Sequence, residues 1–284
     1  FDEPFSDSSA LPTMLVSKMA KKHVSVCLSG DGGDELFMGY GSYRWSRRLN
    51  NPIIKSIRKP ISLGLRLTSK NEFKRAALVF KSPKSNLKSH IFSQEQYLFS
   101  EFEINKILNK NINKTINKIN STPILNRKLK ADEKQALFDL NNYLIDDLLV
   151  KVDRSSMHES LEVRVPILDH RIIEFSLNLN SKFKYNKGVG KFILKEVLYD
   201  YIPKRIVERP KWGFSIPLSK WLRNDLKFMI DNYLNFETLS KIDFINTKEV
   251  LSFKDRFLAG EDYLWNRVWT LLVLVKFLYK HDEL

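Results

Sequence analysis

Ser29-Gly30-Asp31-Gly32-Gly33-Asp34-Glu35 follows directly on the alternating apolar run His23-Val24-Ser25-Val26-Cys27-Leu28. The run reads as a short buried strand. The heptapeptide reads as the loop at its end, with a helix beginning near Asp34. Glycines let backbone N–H groups approach a phosphate or sugar closely. Carboxylates in the same loop can hold a divalent cation or move a proton. Strand, glycine loop and helix in this order form ligand sites at the carboxyl edge of a parallel sheet.

Working outward, Asp7 or Ser8 can cap a helix through Leu15 and Met19 to Lys22, with Pro12 near its first turn. Residues 51–130 look mostly helical, broken at Pro60, Pro83 and Pro123. Asp132 can cap a long helix through Leu137, Leu140, Leu144 and Leu148. Further helices are expected over 169–178, 190–202, 217–234 and 262–280. Only the first strand is well marked. The pattern is the edge of an α/β sheet followed by a mostly helical region.

Charge is unevenly placed. Residues 51–130 hold 17 Lys and Arg against 4 Asp and Glu, whereas the rest of the chain is nearly balanced at 30 against 29. The excess lies in a stretch that includes the Asn/Lys/Ile-rich run 104–120. Ile104, Ile107, Leu108, Ile112, Ile116 and Ile119 keep roughly helical spacing there. We read it as a solvated amphipathic helix rather than a polyanion-binding arm. No zinc-finger spacing or single-strand stacking pattern supports a nucleic-acid partner. The apolar run Leu271–Val275 is far shorter than the roughly 20 residues of a membrane span. The single cysteine, Cys27, rules out an internal disulfide framework and suits a reducing cytoplasm. None of the five histidines has metal-ligand spacing.

Four more blocks accompany the glycine loop: Asp2-Glu3-Pro4-Phe5-Ser6-Asp7-Ser8-Ser9, Asp146–Met157, Glu162–Arg171, and Arg209-Pro210-Lys211-Trp212-Gly213-Phe214. Together with Ser29–Tyr40, their order resembles the synthetase domain of the glutamine-dependent asparagine synthetases over essentially all of residues 1–284. β-Lactam synthetases and amidotransferases of surface-polysaccharide synthesis share that scaffold. The resemblance implies an adenine-nucleotide alpha-hydrolase-like (ATP pyrophosphatase) parallel-sheet layer, here truncated, with 51–130 as a basic helical segment within one domain. The family's SGGxDS pyrophosphate loop is not found in the sequence, which starts with Phe1 in mid-motif. The chain therefore reads as a C-terminal fragment lacking the glutaminase domain, expected to be inactive alone.

The implied reaction is ATP-dependent amide formation. Aspartate's β-carboxylate attacks the α-phosphorus of ATP, pyrophosphate leaves, and ammonia from glutamine displaces AMP. Leu28, Ser29 and Gly30 match the family's ATP-contacting step. Asp34 matches its Mg²⁺ ligand and Lys211 its phosphate-contacting lysine, on a loop framed by Pro210 and Gly213. Asp31 stands where many relatives have glutamate, a substrate contact and candidate base for ammonia. Lys151 could face the substrate carboxylates. Met38 departs from the family's usual glycine, and Glu35 is given no role beyond charge at a helix N-terminus. Besides asparagine synthesis, two readings stay open: adenylation of another acceptor, and a non-catalytic nucleotide-binding domain. A homodimer is compatible with the family.

Overall fold

The computed structural model describes residues 1–68, 70–81, 86–109, 128–208, 214 and 216–281. Pro83, Pro123, Lys211 and most of the 104–120 run lie outside them. The chain is mostly helical with a small parallel sheet, and it divides into two compact units. Among the described residues no helix is long and apolar enough to cross a membrane.

The first unit comprises Phe1–Ser6, Arg48–Ser121 and Pro217–Leu284. Its centre is the helix Trp265–Lys280, which packs against Leu218–Arg223, Lys227–Tyr233 and Thr247–Leu258. Val268, Leu271, Leu272 and Val275 recur at three- and four-residue spacing on this helix and are buried. The Trp269 indole N–H donates to Ser6 O at 2.8 Å, tying the first residues of the chain to the same helix. A second pair, Pro52–Arg66 and Asn71–Phe80, is pinned by Ser62 Oγ donating to Ala77 O at 2.7 Å. Asn51 caps the first of these helices, accepting from Ile53 N and Ile54 N, with Pro52 at the first helical position.

Two expectations fail here. Pro60 does not end a helix but lies inside Pro52–Arg66. The missing N–H would have met the carbonyl of Ser56, and both residues are exposed, so water can satisfy the freed group. The single helix expected over 217–234 is two, because Asn224 leaves helical geometry (φ −119°, ψ −92°) between them.

The second unit comprises Asp7–Arg47 and Thr122–Ile216. Strand β1 (Val26–Leu28) pairs in parallel with β2 (Glu162–Arg164), Cys27 opposite Val163. β2 escapes sequence reading because it is three residues long and shows two charged side chains to solvent. Alternation puts Cys27 and Val163 on the covered side. Val26 (39% exposed) and Leu28 (72%) face outward and Cys27 is half-buried, so the expected buried strand is covered on one side only. The helix Ala10–Lys21 is similar: Ala10 and Ser17 are buried, whereas Leu11, Leu15, Val16 and Met19 are exposed.

Ala131–Asp139 continues through widened π-helical turns over Leu140–Leu149 into Val150–His158. Asp132 is not its cap. Glu133 reaches back to the Lys130 N–H at 2.8 Å, while Asp132 is buried and accepts from Arg47 Nε at 2.7 Å. An antiparallel hairpin, β3 (Tyr185–Asn186) with β4 (Val189–Gly190), turns at Lys187 (φ 45°) and Gly188 (φ 90°). Positive φ at both positions is what a two-residue hairpin turn with right-handed strand twist requires.

Candidate active site

The glycine loop leaves the carboxyl end of β1, and Ser29 N continues the ladder by donating to Arg164 O at 2.8 Å. The turn after β2, Pro166–Leu168, packs beneath the loop. Gly32 sits in the left-handed region (φ 84°), and a Cβ there would come within 2.2 Å of Leu168 Cδ2. Both facts select glycine. The loop ends in the five-residue helix Gly33–Phe37, whose Glu35, Leu36 and Phe37 are buried.

The sequence-derived site residues separate into two groups. Leu28 at the end of β1, Ser29, Gly30 and Asp31 in the loop, and Asp34 in the helix that follows form one continuous segment. Ser29 Oγ donates to Asp31 Oδ2, and a Cβ on Gly30 would meet open space. Lys151 stands apart from the loop's hydrogen bonds. It is buried, 3.0 Å from Asp7 Oδ2 and 2.9 Å from Ser9 Oγ, where Val150–His158 packs on Ala10–Lys21. Other charges of the Asp146–Arg171 region reach the surface. Asp153, Arg154, Glu162 and Arg164 are exposed because helix and strand periodicity turns them outward. Arg164 pairs with Glu162 and Arg171 with Asp169 at the surface.

Several residues that sequence reading passed over surround Asp34. The β3–β4 hairpin places Gly190 so close to Met38 O that a Cβ would approach to 2.4 Å, and Lys191 N donates to Phe37 O at 2.9 Å. This anchors Lys191, whose Nζ is 2.9 Å from Asp34 Oδ2. Gly39 leaves room for the other oxygen: a Cβ there would lie 1.7 Å from Asp34 Oδ1. The available signal was a lysine directly after a glycine-rich hairpin turn. Glu35 is not a solvent-facing charge at a helix start. It is 2% exposed, accepts from the Tyr40 hydroxyl at 2.7 Å, and burial raises its pKa. Met38 adopts φ 59° with its side chain in a core with Tyr43 and Ala136, so it fills the interior despite a conformation that favours glycine.

Among the described residues no three His, Cys, Asp or Glu side chains gather as a metal cage. A single carboxylate suits Mg²⁺, which keeps waters and usually arrives with substrate phosphates. The residues fit an ion of that kind.

Behind the loop lie two buried carboxyl groups with raised pKa. Asp139 is pushed up to about 7, chiefly by burial, although Gln135 Nε2 (3.0 Å) and Ser42 Oγ (3.3 Å) donate to it. Asp147 is also pushed up to about 7, by burial and by the Asp7 carboxylate, against the pull of Lys151. A raised carboxyl pKa means that the folded state holds a proton the unfolded chain gives up. Asp139 therefore contributes stability below about pH 4 that is lost as pH rises through about 7. Asp139→Asn should flatten this slope, so that the variant gains on the wild type by on the order of a few kcal/mol between pH 4 and 8. Urea denaturation at those two pH values measures it, and an unchanged difference would refute the assignment.

Comparison with known proteins places the chain in a family. The asparagine synthase family model matches residues 1–281. Asparagine synthetase [glutamine-hydrolyzing] 1 of Bacillus subtilis is 28% identical over 279 residues, covering 97% of this chain and 43% of its own length. A putative asparagine synthetase [glutamine-hydrolyzing] of Mycobacterium bovis is 28% identical over 285 residues, covering 96% and 42%. One from Methanocaldococcus jannaschii is 36% identical over 162 residues, covering 55% and 30%. The chain thus spans less than half the length of these relatives. With nearly every residue inside the family match, the chain belongs to the asparagine synthase family.

Proposed function

We propose that this chain forms the synthetase part of an ATP-dependent ligase that makes asparagine from aspartate, with ammonia drawn from glutamine. The observation that carries the proposal is the glycine loop at the carboxyl end of a parallel strand, inside a family match over residues 1–281. On this reading the two-stranded β1–β2 pair is part of an adenine-nucleotide alpha-hydrolase-like sheet, and residues 1–284 belong to one synthetase domain. The basic segment 51–130 is a part of it.

The protein's task is to position charged groups and to neutralise charge that develops on phosphorus. Leu28, Ser29 and Gly30 contact ATP, the open space at Gly30 leaving the backbone accessible. Asp31, held by Ser29 through its carboxylate, takes up the proton released from the ammonium centre that forms when ammonia attacks. Asp34 supplies the anionic ligand for Mg²⁺, which when bound offsets phosphate charge. Lys191 shares that carboxylate and balances it before substrate arrives. Lys211 holds the leaving pyrophosphate. Lys151 contacts the aspartate carboxylates only if its ion pair with Asp7 opens.

The intact enzyme should exchange labelled pyrophosphate into ATP in the presence of aspartate, because adenylation is reversible. Exchange supported only by a different carboxylic acid would replace asparagine with another amide product. No exchange with any acid, in a protein that still binds ATP, would leave a non-catalytic nucleotide-binding domain. Asp31→Asn should depress amide formation more than exchange, since it removes a base without changing size. Asp34→Asn should raise the Mg²⁺ concentration needed for half-maximal exchange.

A further inference from the structure

The charge surplus of residues 51–130 has a structural focus within the first unit. Arg66 closes the helix Pro52–Arg66, Lys81 follows Asn71–Phe80, and Lys106 lies in Glu101–Ile107. All three line one cavity of about 530 Å³. Among the described residues none of them forms an ion pair. Lys81 Nζ and Lys106 Nζ each lie 4.9 Å from the centre of the same Phe102 ring.

Like charges brought together this way repel. Burial first, and then the charges of Arg66 and Lys106, hold the Lys81 pKa below its ordinary value. Glu103 offsets this only in part, and the nearby acids of the wall are engaged by other partners. Glu101 accepts from Asn86 Nδ2 at 2.5 Å, and Glu103 is taken up by Ser100 and by Arg267 Nη2 at 3.2 Å. Arg256, also in the lining, is committed to Glu261. Among the described residues Glu249 is the one further acid of the wall. The remaining wall is apolar, with Leu78, Phe253 and Leu264.

We propose that this cavity binds a small organic phosphate, its phosphate held by Arg66, Lys81 and Lys106 and its carbon skeleton against Phe102 and the apolar wall. Three cations call for a ligand of two or more negative charges, and ammonium and guanidinium groups are the usual partners of phosphate oxygens. The volume falls in the range of small-molecule sites, roughly 300–1,000 Å³, and exceeds what a bare phosphate fills. The site is separate in sequence from the glycine loop and from Lys211, and it does not rest on the proposed reaction. It gives these three members of the surplus a ligand.

Calorimetric titration of the full chain with ribose 5-phosphate and with AMP, beside ribose as the uncharged control, tests the proposal. Both phosphates should bind and ribose should not. Lys81→Ala should weaken binding roughly tenfold, the loss of one charge-assisted contact, and Arg66→Ala/Lys81→Ala/Lys106→Ala should abolish ribose 5-phosphate binding. Lys211→Ala and Ser29→Ala should leave ribose 5-phosphate binding unchanged. The three side chains are exposed, so the variants should fold, which circular dichroism checks; Lys81→Gln and Lys106→Gln serve if the triple variant does not. Absence of binding at millimolar phosphate, equal binding of ribose, an unaffected triple variant, or loss confined to Lys211→Ala would each overturn the proposal.

Discussion

Arg267→Ala is expected to cost about 3–5 kcal/mol of folding stability, because it strands a partly buried carboxylate. The guanidinium is 1% exposed, at the inner face of Trp265–Lys280. It donates to Tyr97 O at 3.1 Å, Gln94 Oε1 at 3.2 Å and Glu103 Oε2 at 3.2 Å. Burial lowers the pKa of the arginine, and Glu103 opposes that shift, so each charge depends on the other. Glu103 also accepts from Ser100 N at 2.7 Å and so closes the N-terminus of Glu101–Ile107. One substitution should therefore loosen the end of that helix as well as the core. Removing both charges is a different experiment. Arg267→Met with Glu103→Gln should recover a large part of the loss, since an ion pair in this setting repays little beyond its own desolvation. Urea denaturation of the two variants decides it, and a single-variant cost below about 1 kcal/mol would show that water reaches the pair.

Lys211→Ala is expected to slow aspartate adenylation roughly 100-fold or more, the scale for removing one preorganised electrostatic stabiliser. The ground is the Arg209–Phe214 block, where the family resemblance puts a cation against the leaving pyrophosphate. A point charge on a flexible stem can follow the phosphate as charge accumulates on it. Folding stability should be nearly unchanged. Lys211→Arg separates charge from shape: if charge alone matters, a measurable part of the rate returns. Pyrophosphate exchange is the assay. Full exchange by Lys211→Ala would remove the family's assignment at this position and the site built around it.

The glycine loop could be read in the sequence because its physics is local. A strand, glycines with positive φ and a helix start leave their mark within a dozen residues, and the structure has β1, Gly32 and Gly33–Phe37 where that mark falls. Lys191 and Glu35 were passed over for the opposite reason. Lys191 reaches Asp34 only because a hairpin more than 150 residues later packs beneath Met38. Burial of Glu35 depends on several helices closing over Gly33–Phe37. Arg267 did leave a trace: it lies one residue before Val268, on the stripe formed by Leu264, Leu271 and Val275. A charge within an apolar stripe predicts a buried partner without naming it. The π-helical turns over Leu140–Leu149 left no such trace, since their apolar spacing is close to that of an ordinary helix.

One edge of β1 is taken by β2, and among the described residues the other carries no strand. On the same strand Val26 and Leu28 are exposed. Backbone donors and acceptors on an open edge next to apolar side chains will pair with any extended chain that reaches them. For this polypeptide prepared by itself, concentration becomes a variable of its fate. Edge-to-edge association is the expected result of crowding such molecules, so aggregation should rise with concentration and fall when an extended peptide covers that edge.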